Sequence, residues 1–179
     1  MKRLISSIVA LVVMLSLVAV PAALAEEGVT KVTGTLPEAS LEITAPSDIT
    51  LDSLFGTGSA TGSSTLSGTV LCLMYEGGYT LKIKSDNSTG AMYSGENKLD
   101  AALKVTATLE KGDGADVTSG DTLTDVVVTT SEQTVGSTSE PAPTADGKND
   151  ITLSVSQARQ TAGVAGTYSL TLTFTATAN

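Results

Sequence analysis

The chain has 179 residues, 10 Lys and Arg against 19 Asp and Glu, a net charge of −9, no His, no Trp and one Cys. These absences exclude a Ser-His-Asp triad, a Cys-His dyad, an internal disulfide, and His- or Cys-rich sites for zinc, iron or haem. The acidic excess argues against nucleic acid and against anionic membrane surfaces as partners, because phosphate repels such a chain.

The first segment, 1–25, reads as a cleavable secretory signal. Lys2 and Arg3 are followed by an apolar run from Leu4 to Val20, broken only by Ser6, Ser7 and Ser16. Pro21 then interrupts it, and Ala23-Leu24-Ala25 offers the small-x-small site a signal peptidase reads. The competing reading is an uncleaved anchor, since the run just reaches the ~17–25 residues of a membrane span. The abrupt switch to Glu26-Glu27-Gly28 favours cleavage after Ala25. Lipid attachment is not expected, because Cys72 lies far from that point. The mature chain is expected to have no membrane span, and its net charge is −11, with 8 basic residues against 19 acidic.

From Glu26 onward there are 28 Thr, 17 Ser and 17 Gly. Thr suits half-exposed strands, and Gly and Ser suit turns. Residues 26–37 read as an N-terminal extension or edge strand, with Val29 to Val32 a weak strand. Leu41 and Ile43 form a short candidate strand at the start of the domain proper, 38–179, with Ile49 and Leu51 after Pro46 as strand candidates too. Residues 55–67 are Gly-, Ser- and Thr-rich and carry no clear period.

Thr69 to Tyr75 contains the unbroken apolar run Val70-Leu71-Cys72-Leu73-Met74, the pattern of a central strand covered on both faces. Glu76-Gly77-Gly78 turns the chain into Tyr79, Leu81 and Ile83, which alternate with Thr80, Lys82 and Lys84; a hairpin is predicted. Leu99 to Glu110 alternates over twelve residues as one strand and ends at Gly112-Asp113-Gly114. Val126 to Thr130 is a short strand. Residues 131–150, with Glu140-Pro141-Ala142-Pro143, lack periodicity and read as a long loop. Ile151, Leu153 and Val155 alternate with Thr and Ser. After Gly166, Tyr168, Leu170, Leu172, Phe174 and Ala176 alternate with Ser and Thr, a pattern that only a strand produces. The sum is an all-β fold: a single immunoglobulin-like antiparallel β-sandwich of about seven to nine strands.

The stretch from Gly68 through Tyr75, Gly78-Tyr-Thr-Leu-Lys-Ile83, Gly90-Ala-Met92, the Leu99 strand and Ala165 to Phe174 resembles secreted prokaryotic surface β-sandwich proteins. Two families are meant: the spore coat protein U and pilin-like family, and the WxL surface domain, here without its Trp motif. The resemblance implies an immunoglobulin-like fold, an extracellular or cell-surface location, and polymerisation by strand donation or non-covalent attachment to the wall.

Cys72 reads as an inert core thiol, since its strand is apolar and lacks positive charge. Asp113, Asp116, Asp121 and Asp125 are weak candidates for calcium, which takes several oxygens, but the spacing is not that of a calcium-loop motif. Asp146-Gly147-Lys148-Asn149-Asp150 is an equally loose one. Asn87-Ser88-Thr89 is a candidate glycosylation acceptor. Nothing marks a catalytic carboxylate pair, and no cofactor is expected. Glu27 to Leu36 is a candidate donor strand carried by Val29, Lys31, Val32 and Leu36, offered to an open sheet edge of another copy. The expected function is that of an exported, non-enzymatic cell-surface or envelope structural protein, acting in assembly or adhesion through sheet edges and loops. Its partners would be itself or other envelope proteins. The alternative is a secreted binding module for carbohydrate or another surface ligand, and a minor third is a secreted hydrolase.

Overall fold

The computed structural model describes residues 33–119 and 122–179. The signal segment, and with it Val29, Lys31 and Val32, lies outside the described residues. The compact β unit runs from Leu36 to Asn179. It is all-β, every ladder between its described strands is antiparallel, and no described helix is long and apolar enough to cross a membrane.

The described strands are β1 (Ser40–Thr44), β2 (Ser59–Ser63), β3 (Gly68–Leu73), β4 (Tyr79–Ser85), β5 (Ala91–Ser94), β6 (Asn97–Ala102), β7 (Lys104–Glu110), β8 (Val117–Ser119), β9 (Leu123–Val127), β10 (Gln133–Thr138), β11 (Asn149–Ala158) and β12 (Leu172–Ala178). One sheet has the order β1-β3-β11-β7-β9, with β2 also pairing β11. The long β11 divides one edge between two partners: Asn149–Ile151 meet β3, and Ser154–Ala158 meet β2. The second sheet is β12-β4-β10-β8, and β5 and β6 form a separate hairpin.

Alternation along the strands builds the core. Every second residue of β3, β4, β7 and β11 is buried, and the intervening Thr, Ser and Lys are not. Val70, Cys72, Val105, Ala107, Leu109, Ile151, Leu153 and Val155 come from the first sheet; Tyr79, Leu81, Ile83 and Val135 come from the second. The two inward faces meet as a sandwich, which removes apolar surface at about 25 cal/mol per Å².

Four expectations are corrected. Residues 69–85 do not form a hairpin: β3 pairs β1 and β11, whereas β4 pairs β10 and β12. The turn between them carries the chain from one sheet to the other. It does so with Met74 at φ 61° and Gly78 at φ 66°, closed by Gly78 N–H donating to Tyr75 O at 2.8 Å. The twelve-residue strand from Leu99 is two strands. It breaks at Leu103, whose N–H donates to Gly90 O at 2.8 Å, so the inward alternation continues while the hydrogen-bond partner changes. Ile49 and Leu51 form no strand; they pack half-buried over Gly62. Residues 131–150 are not one loop, because β10 pairs both β4 and β8 despite its polar sequence. Short polar strands such as β2, β8 and β10 raise the described count to twelve.

Candidate functional site

The sequence closes on an open edge. β12 bonds β4 on one side in an unbroken register from Leu172↔Ser85 to Ala178↔Tyr79. Asp86 N–H donates to Thr171 O at 3.1 Å, and Asn179 N–H donates to Gly78 O at 3.1 Å. An antiparallel ladder alternates bonded and non-bonded pairs, so the odd-numbered residues of β12 spend their backbone groups on β4. The even-numbered Leu172, Phe174, Ala176 and Ala178 therefore turn N–H and C=O outward. No described strand pairs with them; β1 lies beside β12 across the seam without a ladder. The side chains of Leu172, Phe174 and Ala176 face the core but remain half-buried.

Of the donor segment, residues 33–36 are described, and Leu36 is the one of its four named residues among them. It is 78% exposed and leads into β1, the strand next to that seam.

A second feature is a groove of about 980 Å³ with three walls: residues 49–55, the end of the β5–β6 turn with the first part of β6 at 96–100, and 162–168. Sequence reasoning placed no site there. Phe55, in the aperiodic 55–67 stretch, is 72% exposed although its backbone is fixed by a parallel bridge to Gln160. An aromatic outside the core was the one available signal.

The acidic candidates are dispersed into turn and strand roles. Asp113 N–H donates to Lys148 O at 3.0 Å, Asp116 pairs with Lys111 Nζ at 2.6 Å, and Asp125 sits at φ 54° on β9. Asp121 lies outside the described residues. Among the described residues no three His, Cys, Asp or Glu side chains gather as a metal site. Asn149, from the second loose candidate, is buried and uses Nδ2 on three carbonyls: Ala115 at 2.8 Å, Lys111 at 3.0 Å and Glu110 at 3.3 Å. That amide closes a loop.

Asn87 lies half-buried in the turn after β4. Its Oδ1 accepts from Thr89 N–H at 3.1 Å, and its Nδ2 donates to Ala91 O at 3.1 Å and Asp86 Oδ1 at 3.0 Å. The nitrogen a glycan would occupy is thus engaged in holding the turn.

Cys72 is buried at 2% exposure, and burial pushes its thiol pKa up. Burial likewise raises that of Tyr79, with the neighbouring Cys72 charge adding to it. The Tyr79 hydroxyl is completely buried and has no hydrogen-bond partner among the described residues. A thiol so placed has little thiolate character and acts as a small apolar side chain.

No protein-family model, no curated protein and no solved structure matches this chain.

Proposed function

We propose that the chain is an exported, non-enzymatic cell-surface or envelope structural protein that assembles through the free edge of β12. The observation that supports this reading is the pairing of seven edge residues in extended register with a half-covered apolar row, Leu172, Phe174 and Ala176. Edge strands in monomeric proteins are commonly protected by charge, proline or a bulge. β12 carries none of these: its sequence Leu-Thr-Phe-Thr-Ala-Thr-Ala has no charged residue and no proline, and its register has no irregularity. The opposite edge strand of the other sheet, β9, contrasts with it, since Asp125 stands there at φ 54° and its ladder with β7 is irregular.

A strand added at β12 would satisfy the outward backbone groups and cover the apolar row in one step. The segment 27–36, with Val29, Lys31, Val32 and Leu36, is the donor in this reading, supplied by another copy. The test is size-exclusion chromatography with light scattering on the full chain and on a variant lacking residues 27–36. Multimers that collapse to monomer on deletion support the proposal. A full chain that stays monomeric at every concentration opposes it.

A further inference from the structure

The groove bounded by residues 49–55, 96–100 and 162–168 is lined by an exposed aromatic together with several charged side chains. Its volume of about 980 Å³ sits at the upper end of the ~300–1,000 Å³ usual for ligand pockets. Its rims are exposed, so it suits a chain lying along it better than a small enclosed molecule.

The walls are fixed before any ligand arrives. Gly56 N–H donates to Gln160 O at 2.9 Å, and Gln160 N–H donates to Leu54 O at 2.8 Å. Tyr168 Oη donates to Val164 O at 2.8 Å, while Tyr93 and Ser169 exchange two backbone bonds of 2.9 Å. With its amide nitrogen turned toward Asp100, Gln160 donates to Asp100 Oδ2 at 3.0 Å and accepts from the Asp100 N–H at 3.3 Å. Phe55 therefore presents its ring from a rigid backbone, at a cost in exposed apolar area that nothing in the fold recovers.

The groove that Phe55 lines is also lined by three carboxylates, Asp52, Glu96 and Asp100, and one cation, Lys98. None of the three has an ion-pair partner among the described residues. An aromatic side chain in one groove with the carboxylates of Asp52 and Glu96 and with Asp100 Oδ1, Oδ2 being taken by Gln160, matches a sugar ring, whose C–H face stacks and whose hydroxyls donate. A peptide could not add as a strand at 54–56, where the backbone is already bonded to residue 160. The acidic excess repels uronic or phosphorylated glycans.

We propose that this groove binds a non-acidic oligosaccharide, neutral or amine-bearing, with Phe55 as the stacking platform and Asp52, Glu96 and Asp100 accepting its hydroxyl or ammonium protons. The inference stands apart from assembly at β12, and its test does not depend on it. The protein from full-chain expression is titrated calorimetrically with a cello-oligosaccharide, a chitosan oligosaccharide and an oligogalacturonate. The expected result is saturable binding of at least one of the first two, and none of the third. Phe55→Ala and Asp52→Asn should each weaken that binding about tenfold or more. Both side chains are exposed, so the melting temperature of each variant serves as a check that the fold is intact. No saturation by either sugar up to about 10 mM would overturn the proposal. So would affinity unchanged in Phe55→Ala, or preference for the oligogalacturonate.

Discussion

The buried Nδ2 of Asn149 donates to Ala115 O at 2.8 Å, joining the start of β11 to the loop that leaves β7. The same nitrogen also serves Lys111 O and Glu110 O. Substituting Asn149→Ala removes the donor and leaves the buried Ala115 carbonyl unpaired, a loss of about 2–3 kcal/mol. The expected readout is a melting temperature lower by roughly 5–10 °C for a domain of this size. An unchanged melting temperature would mean that water replaces the amide without loss.

The Tyr79 hydroxyl should cost stability where it stands. It is completely buried without a partner, so Tyr79→Phe is expected to be neutral or to stabilise by about 1 kcal/mol in denaturant titration. A loss of more than about 1 kcal/mol would show that a bound water or another group satisfies the hydroxyl.

Alkaline pH should unfold the protein through the same pair. Cys72 and Tyr79 both have folded pKa values raised above their unfolded ones. Each is neutral when protonated, so the unfolded state loses its protons first. The stability is fully present below the unfolded values, about 8.5 for a thiol and 10 for a phenol, and declines as pH rises past them. Denaturation midpoints should hold between pH 7 and about 8 and then fall, with the upper part of the fall reduced in Tyr79→Phe. A thiol reagent should reach Cys72 only on unfolding.

Gly78 is where the chain passes between sheets, and its backbone cannot carry a side chain comfortably. At φ 66°, an added Cβ would lie 2.5 Å from Thr138 O. Gly78→Ala should therefore destabilise by at least about 1–3 kcal/mol, measured by denaturant titration. Gly95, at φ 61° but with open space around it, is the control: alanine there should cost about 1 kcal/mol.

The fold class was legible because burial is one-sided. Ile151, Leu153 and Val155, or Leu81 and Ile83, declare their faces by alternation alone, and each is buried. Pairing was less legible. Nothing in Tyr75 to Tyr79 distinguishes a hairpin from a crossover, because both need a Gly turn; the choice is made by β11 and β10 arriving from far along the chain. The break at Leu103 is silent for the same reason, since an inward residue stays inward when its ladder changes partner. β2 and β10 were invisible as strands because their Ser, Thr and Gly residues take their place from neighbours' hydrogen bonds rather than from apolar burial. The groove shows in sequence only as Phe55 in a polar stretch, and its Asp52, Asp100 and Gln160 meet through tertiary contacts. The dispersed Asp113, Asp116 and Asp125 show the converse, where acids close in sequence take separate structural roles.

Amide hydrogen exchange along β12, followed as protein concentration rises, tests assembly at this edge most directly. The outward amides of Leu172, Phe174 and Ala176 should exchange quickly in dilute protein, while those of Thr173 and Thr175, bonded to β4, are protected. With rising concentration the outward three should gain protection together, and Ala176→Pro, which removes one outward donor without breaking the β4 ladder, should abolish the gain. Protection of the outward amides that is absent at every concentration, or that survives in Ala176→Pro, would contradict the account.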